Sequence, residues 1–190
     1  MEFSINDINK CLGFIDWNES EVEDLNFHSV SIDSRNINPK DLFVAIKGEK
    51  YDGHDYIKKA VDHGAAIIIT EKETKDQIPI PHVKVTSSRN ALSAISSEYY
   101  GNPSKKLKVI GITGTNGKTT TASLIKSILE SAKIKVAQIG TLGLIAEGIK
   151  YQKTLTTPDA LMLHGLLAKL LDSGFSHVVM EVSSHALDQY

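Results

Sequence analysis

The sequence predicts an α/β protein with two domains, a small mixed α/β domain over residues 1–102 and the start of a parallel sheet flanked by helices over 103–190. Before residue 100, short β-branched runs alternate with helical stretches, which is typical of a sheet covered by helices. The breaker Gly101-Asn102-Pro103-Ser104 then interrupts the pattern. A strand, a glycine-rich loop and a helix follow it, so we place a domain boundary there.

The first domain is predicted to contain four strands and two helices. Apolar residues recur at helical spacing over 56–61, and Gly64 is expected to cap that helix. Ser87 or Ser88 is expected to cap a second helix that ends near Gly101. The predicted strands are 29–32, 42–46, 66–70 and 83–86.

The second domain begins as a βαβ unit, with a strand over 107–112, a helix over 118–131 and a strand over 135–139. Residues 141–151 favour a hairpin. Thr157 is the predicted N-cap of a helix over 161–171, and a final strand is predicted over 176–182. Because doubly wound sheets usually carry five or six strands, we expect the sequence to be the front part of a longer protein.

Composition excludes several classes of protein. With 41% hydrophobic and 23% charged residues among 190, the chain can form a packed core and is not a disordered tail. A formal net charge of −2 offers no basic field for nucleic acid or an anionic membrane. Cys11 is the only cysteine, and the first ten residues do not resemble a signal peptide. We therefore expect a cytoplasmic protein without disulfides.

The glycine-rich loop predicts a phosphate site. It lies between an apolar strand and a helix, the context of a P-loop, although Ile112 stands where the general pattern has its first glycine. Gly114 and Gly117 allow backbone N–H groups to converge on phosphate oxygens. Lys118 is predicted to bind the β- and γ-phosphates of the ligand, and Thr119 to bind Mg²⁺. The alternative is an ordinary strand-to-helix turn with a chance Gly-Lys-Thr.

Glu181 ends the apolar strand of the second domain, and ligands of open α/β sheets bind at the carboxyl ends of strands. We predict that it is a second Mg²⁺ ligand beside Thr119. The alternative is a solvated glutamate at a strand end. His185 follows in the next turn, and the sequence favours neither a functional nor a packing role for it.

Two further segments carry polar groups. Threonine hydroxyls over 154–157 precede a helix and could bind an anion, but on the residues alone plain capping by Thr157 is favoured. Asp33-Ser34-Arg35 offers a hydroxyl and a guanidinium to a phosphate, although surface serine and arginine are common.

These residues together resemble the Mur ligase family. The resemblance rests on residues 31–65, on the GTNGKTT string over 114–120, on Leu155-Thr156-Thr157-Pro158 and on residues 180–187. It implies a ligase that uses ATP and Mg²⁺ to add a diamino acid, L-lysine or meso-diaminopimelate, to UDP-N-acetylmuramoyl-L-alanyl-D-glutamate. An acyl phosphate would be the intermediate. The sequence leaves open which diamino acid is added.

The resemblance also assigns residues. ATP would contact Gly114, Thr115, Asn116, Gly117, Lys118, Thr119 and Thr120. The UDP end of the substrate would contact Ile32, Ser34, Glu49, Lys50 and Tyr51. The rest of the UDP-sugar peptide would contact Leu155, Thr156, Thr157, Ser183 and Gln189. The implied catalytic residues are Lys118 and Glu181.

Family members carry a carbamylated lysine, an arginine and a C-terminal domain that these 190 residues lack, so we expect no complete catalysis from this chain alone. We expect a monomer that binds neither nucleic acid nor membranes. Two other hypotheses remain open at this point. One is another P-loop ATP enzyme, of the folylpolyglutamate synthase type or a small-molecule kinase. The other is a non-catalytic module that binds a nucleotide or a UDP-sugar.

Overall fold

The computed structural model describes residues 3–13, 17, 25–73 and 78–189, with the backbone alone at 188 and 189. The chain divides into two compact units, Met1–Tyr99 and Tyr100–Tyr190. The sequence places its boundary slightly later, after residue 102. Both units are α/β, as the sequence predicts.

The first unit contains a four-stranded, all-parallel sheet in the order β3-β4-β5-β6 and a separate antiparallel pair, β1-β2. A short 3-10 turn at Ser34–Asn36 follows β3, and another at Gly53–Tyr56 precedes α2. Its elements are β1 (Phe3–Ser4), α1 (Ile5–Leu12), β2 (Asn26–Phe27), β3 (Val30–Ser31), β4 (Leu42–Val44), α2 (Ile57–Asp62), β5 (Ile67–Thr70), β6 (His82–Lys84) and α3 (Ser88–Tyr99).

Helix α1 is an element that the sequence analysis missed. Ser4 and Asp7 form a capping box at its start, in which the Ser4 hydroxyl accepts from Asp7 N and Asp7 accepts from Ser4 N. At the start of α3 the Ser87 hydroxyl accepts from Asn90 N at 3.2 Å. Of the two serines that the sequence offered as a cap for this helix, Ser87 is therefore the one that caps it.

The second unit contains one sheet in the order β7-β10-β8-β9, in which β7, β10 and β8 are parallel and β9 is antiparallel to β8. Its elements are α4 (Pro103–Lys106), β7 (Lys108–Ile112), α5 (Lys118–Ser131), β8 (Val136–Gly140), β9 (Gly143–Ile145), α6 (Ala160–Asp172), β10 (His177–Glu181) and α7 (Ser184–Gln189). The predicted bounds of α5 agree with the structure at both ends.

Alternation along β10 determines which face of the sheet each side chain occupies. Val178 and Met180 pack in a cluster with leucines of α6, whereas Val179 packs in a separate cluster with Ala122 of α5. Because side chains alternate between the faces of a strand, Glu181 belongs to the same face as Val179. The fold therefore places this carboxylate at the carboxyl end of β10, on the side of α5.

The predicted capping of α6 by Thr157 is wrong. The N-cap is Asp159, whose carboxylate accepts from Met162 N at 2.9 Å. The Thr157 hydroxyl is instead engaged with Glu181 O and Ser183. Aspartate is a better N-cap than threonine, and the tertiary contacts at Thr157 leave the capping position to Asp159.

The predicted hairpin over 141–151 is present in a shifted form. Strands β8 and β9 pair through a tight turn, with Gly140 opposite Gly143. Beyond β9 the chain returns to form a single bridge between Leu144 and Gln152. Within the described ranges, no helix has the length and apolar character needed to cross a membrane.

Candidate functional site

The predicted phosphate loop joins β7 to α5 and is open to solvent. Residues 113–117 are all exposed. Gly117 is the N-cap of α5 with φ of +80°, and Gly114 has φ of +148°, both in the region that favours glycine. Gly117 has no side chain with which to cap the helix, so the first amides of α5 are left for water or an anion. This geometry suits a phosphate.

The ammonium of Lys118 lies over the same loop. Its Nζ donates to Gly114 O at 2.6 Å and to Thr115 O at 3.3 Å. These carbonyls hold the ammonium at the entrance of the loop. A phosphate that approached the loop would meet a charge already in place.

Glu181 is buried, with 1% of its surface exposed, and both of its carboxylate oxygens accept hydrogen bonds. Its Oε2 accepts from the hydroxyls of Thr119 at 2.9 Å and Thr141 at 3.1 Å, and its Oε1 accepts from Thr141 N at 3.1 Å. The alternative of a solvated glutamate at a strand end is therefore wrong. A buried carboxylate is retained only where donors or cations compensate its charge.

Gly140 makes room for this carboxylate. A Cβ at residue 140 would lie 2.2 Å from Glu181 Oε1 and 2.6 Å from its Cδ. No side chain can occupy that position unless Glu181 moves. The glycine at the end of β8 is thus required by close approach and not by backbone conformation.

The residues present fit a magnesium ion. Mg²⁺ prefers oxygen ligands and binds through one or two protein groups together with phosphates and waters. Thr119 and Glu181 supply a hydroxyl and a carboxylate 2.9 Å apart, beside the phosphate loop. Within the described ranges, no cluster of three or more histidine, cysteine or acidic side chains could hold a metal by itself. The remaining ligands would have to come from a nucleotide and water.

The threonine segment 154–157 lies against the same carboxyl edge of the sheet. Thr156 Oγ1 is 3.1 Å from Thr141 Oγ1, and the Thr154 hydroxyl donates to Gly140 O at 3.2 Å. Thr157 Oγ1 donates to Glu181 O at 3.2 Å and accepts from Ser183 N at 2.9 Å. Four of the predicted residues, Thr119, Thr156, Thr157 and Ser183, are thereby linked to Glu181 by hydrogen bonds.

Several other predicted residues of the second unit are exposed to solvent. The side chain of Leu155 is 71% exposed, and His185 is exposed at the start of α7. Thr115, Asn116 and Thr120 are exposed in and after the loop. The side chain of Gln189 lies outside the described part of the structure.

In the first unit, the predicted residues Glu49, Lys50 and Tyr51 form an exposed loop. Gly48 N donates to Tyr51 O at 2.9 Å, and Lys47 pairs with Asp52 in a single bridge that closes the base of the loop. Tyr51 is 71% exposed. An exposed aromatic ring offers a planar face on which a ligand ring can stack.

The second predicted group of this unit is less open. Ser34 is buried, and Ile32 is partly buried just after β3. The Arg35 guanidinium forms a two-point contact with Asp33, at 2.7 Å from Nη2 to Oδ2 and 2.9 Å from Nε to Oδ1. Its hydrogen bonds lower the pKa of Asp33 to about 2. Arg35 is thus already paired, which disfavours the predicted role of this guanidinium in gripping a phosphate.

Two features of the sites were missed in the sequence. Thr141 was not singled out, although it directly follows the end of a parallel strand, where ligands bind. The second is the histidine of the 3-10 turn below the exposed loop. His54 Nδ1 is 2.5 Å from Asp52 Oδ1, and its Nε2 accepts from Glu71 N at 3.1 Å.

The contacts of His54 determine its tautomer and support the base of the loop. Because Nε2 accepts a backbone N–H, the hydrogen of the neutral ring lies on Nδ1 and is donated to Asp52. Burial alone would raise the pKa of Asp52, but hydrogen bonds from Lys72 and His54 outweigh it and hold that pKa below its usual range. No periodic pattern of residues marks this group in the sequence.

Comparison with known families identifies both units. The model described as "Mur ligase family, catalytic domain" matches residues 26–100, and the model described as "Mur ligase middle domain" matches residues 112–190. A UDP-N-acetylmuramoyl-L-alanyl-D-glutamate–2,6-diaminopimelate ligase of Clostridium botulinum is 45% identical over 177 residues, which are 92% of this chain and 36% of that protein. The chain thus spans about a third of the length of the curated relatives it matches.

Solved structures agree with the fold. A structure of a UDP-N-acetylmuramoyl-L-alanyl-D-glutamate–2,6-diaminopimelate ligase superposes with a TM-score of 0.81 at 25% identity, covering 100% of this chain and 37% of that one. MurF ligase from Thermotoga maritima, solved in complex with ADP, superposes with a TM-score of 0.51 at 28% identity, covering 85% of this chain and 33% of that one.

Proposed function

The chain belongs to the Mur ligase family, and on that premise we propose that it supplies the UDP-sugar-binding and ATP-phosphate-binding regions of a peptidoglycan ligase. The proposed reaction joins a diamino acid to UDP-N-acetylmuramoyl-L-alanyl-D-glutamate at the expense of ATP. The observation that carries the proposal is the hydrogen bond from Thr119 to the buried Glu181 carboxylate. Thr119 lies in the first turn of α5, directly after the exposed phosphate loop.

The loop residues 114–120 bind ATP in this proposal. Their amides and the positive end of α5 face the phosphates, and Lys118 leaves the carbonyls of Gly114 and Thr115 to contact the β- and γ-phosphates. Thr119 and Glu181 hold Mg²⁺, which when bound neutralises charge on the phosphates. A buried carboxylate and a partly buried hydroxyl next to an exposed loop support this arrangement.

The acceptor substrate is divided between two groups of residues. Ile32, Ser34 and the loop 49–51 contact the UDP end, for which the exposed Tyr51 ring is the supporting observation. Thr156, Thr157 and Ser183, with Leu155 and Gln189, contact the muramoyl peptide. Hydroxyls and backbone amides at the edge of a sheet can bind carboxylates without adding charge.

The chemistry brings two anions together, because the carboxylate of the D-glutamate attacks the γ-phosphorus of ATP. The bond from the γ-phosphorus to the bridging oxygen breaks, ADP leaves, and an acyl phosphate forms. The amine of the diamino acid then displaces phosphate and loses a proton. Lys118 stabilises the charge on the transferred phosphoryl group, and the threonine hydroxyls orient the acyl carboxylate.

The added diamino acid is proposed to be 2,6-diaminopimelate. The sequence left open the choice between lysine and meso-diaminopimelate, but relatives at 39–45% identity are named 2,6-diaminopimelate ligases. The substrates are ATP and a nucleotide-linked precursor, so the protein is proposed to act in the cytoplasm. The predicted residues all lie in one chain, and we propose a monomer.

The ligase reaction is tested in a longer protein that begins with residues 1–190 and continues with the remainder of the Clostridium botulinum relative. ADP release should require UDP-N-acetylmuramoyl-L-alanyl-D-glutamate together with a diamino acid, supplied here as 2,6-diaminopimelate. The 190-residue chain alone should bind both ADP with Mg²⁺ and the UDP-dipeptide. ADP release without the muramoyl substrate would contradict the proposal and favour a different P-loop enzyme.

A further inference from the structure

A chain of hydroxyl groups links the proposed metal site to the threonine segment. Thr141 stands at its centre, 3.1 Å from Glu181 Oε2 on one side and 3.1 Å from Thr156 Oγ1 on the other. The second contact can run in either direction, because either hydroxyl can be the donor. The proposed function gives Thr119, Glu181 and Thr156 their roles but leaves Thr141 without one.

Counting hydrogens fixes the direction of the chain when Glu181 binds no cation. A threonine hydroxyl has one hydrogen and two acceptor lone pairs. Thr141 gives its only hydroxyl hydrogen to the carboxylate, which is buried and needs its donors. Thr156 must then donate to Thr141. The oxygen of Thr156, which is partly exposed, can in that state only accept a hydrogen bond from a ligand.

The direction reverses when a divalent cation lies on Glu181 and Thr119. Glu181 would then share its negative charge with the cation, and Thr141 N, which lies 3.1 Å from Oε1 in the structure, would remain a donor to the carboxylate. The hydroxyl hydrogen of Thr141 is then released to donate to Thr156. Thr156 in turn can donate its own hydrogen outward, to a carboxylate or phosphate oxygen.

We propose that Thr141 is a positioning residue that couples cation binding at Glu181 to the binding of the anionic acyl substrate at Thr156. The inference rests on the proposed function, since it uses the metal and substrate roles given there. Linkage requires the effect to be reciprocal, so the acyl substrate should also tighten the binding of the cation. When Thr156 offers its hydroxyl hydrogen to the anion, the substrate gains one hydrogen bond to a charged group. We expect this bond to tighten substrate binding by about tenfold.

The test measures this coupling by calorimetry with the 190-residue chain. The affinity for UDP-N-acetylmuramoyl-L-alanyl-D-glutamate is measured with saturating ADP, once with Mg²⁺ and once with a chelator. The wild-type chain should bind the UDP-dipeptide about tenfold more tightly with Mg²⁺. Thr141→Val should reduce this ratio to about two or less, and Thr141→Ser, which keeps the hydroxyl, should restore it.

Matched variants separate coupling from damage to the fold. Thr154→Val removes a neighbouring hydroxyl that contacts Gly140 O and not Glu181, so it should leave the ratio unchanged. Thr156→Val should weaken binding with Mg²⁺ to about the wild-type level in chelator and leave binding in chelator nearly unchanged, so it should also abolish the ratio, which decides the matter if Thr141→Val does not fold. Urea unfolding identifies such a variant.

The outcomes distinguish the inference from the proposed function. If the wild-type chain binds both ligands without coupling, or if Thr141→Val keeps the wild-type ratio, the inference is wrong while the proposed function stands. If the wild-type chain binds neither ADP with Mg²⁺ nor the UDP-dipeptide, the proposed function fails and the inference fails with it.

Discussion

The phosphate loop and the cluster around Glu181 lie at the same edge of one sheet and are built in opposite ways. The loop, residues 113–117, is exposed, and its proposed ligand groups are backbone amides. The carboxylate cluster, Glu181 with Thr119, Thr141 and Thr156, is made of side chains around an acid that is 1% exposed. A site made of backbone tolerates exposure, whereas a buried charge requires donors placed in advance.

Because of this difference, we expect the two regions to affect different properties of nucleotide binding. The loop should contribute affinity for phosphate whether or not a cation is present. The cluster should contribute to nucleotide affinity only through the cation that it binds. It should also affect the stability of the second unit. Variants of the two regions should therefore differ in two measurements, the free energy of unfolding and the ratio of nucleotide affinities with and without Mg²⁺.

The largest effect is expected from Gly140→Ala. Its Cβ would lie 2.2 Å from Glu181 Oε1, so the carboxylate must leave its donors. We expect the second unit to lose about 3 kcal/mol of stability in urea unfolding, as for an overpacked core. Gly111→Ala is the control, since its Cβ would meet only a Val182 methyl at 3.3 Å. Equal stability of the two variants would show that Glu181 is not fixed in the cluster.

Lys118→Ala should weaken ADP binding by about tenfold or more, both with Mg²⁺ and with a chelator. The lost interaction is a hydrogen bond from a charged group to phosphate. Stability should hardly change, because the ammonium contacts only exposed loop carbonyls. Calorimetry measures the affinity, and Lys105→Ala controls for the loss of one exposed positive charge. If Lys118→Ala weakened ADP binding only when Mg²⁺ is present, Lys118 would act together with the carboxylate cluster and not with the phosphate loop.

Glu181→Gln should remove most of the Mg²⁺ dependence of ADP binding while leaving the affinity in chelator near the wild-type value. The amide keeps the shape of the carboxylate but offers a neutral oxygen and an NH₂ group that meets donors. We also expect a loss of about 2 kcal/mol in the free energy of unfolding, because the new NH₂ group would face a hydrogen-bond donor at one of the three contacts that Glu181 makes. A variant that keeps the full Mg²⁺ effect would exclude Glu181 as a metal ligand.

The smallest effect concerns pH and lies away from both regions. Burial in α6 lowers the pKa of His164, and its Nδ1 has no hydrogen-bond partner within the described structure. The unfolded chain takes up a proton near the ordinary value of 6.5, whereas the folded one resists it. The free energy of unfolding of the second unit should therefore fall as pH drops below about 6.5, by at most about 1.4 kcal/mol per pH unit.

His164→Leu should flatten that dependence, and His185→Gln, at an exposed position, should not. Hydrogen exchange of the β10 amides between pH 7.5 and 5.5 reports the stability of this unit. If the slope survives in His164→Leu, the pH sensitivity belongs to other groups.

Prediction from sequence succeeded where the signal was local. The helix over 118–131 has apolar residues at helical spacing and a glycine before its first turn, and its bounds agree with the structure. Helix α1 was missed because only eight residues form it and its start is set by a capping box without a long periodic run. Thr157 was misassigned as a cap because Asp159, two residues later, competes for the same position.

The sequence by itself determined the α/β class, the glycine loop with its lysine, and the end of a strand at Glu181, because each depends on neighbours within a few positions. Only the tertiary structure brought Glu181 to Thr119, 62 residues away, and to Thr141, 40 residues away. Parallel strands that are distant in sequence end at one edge of the sheet, and alternation along β10 turns the carboxylate toward α5. No local pattern records which hydroxyls will meet there.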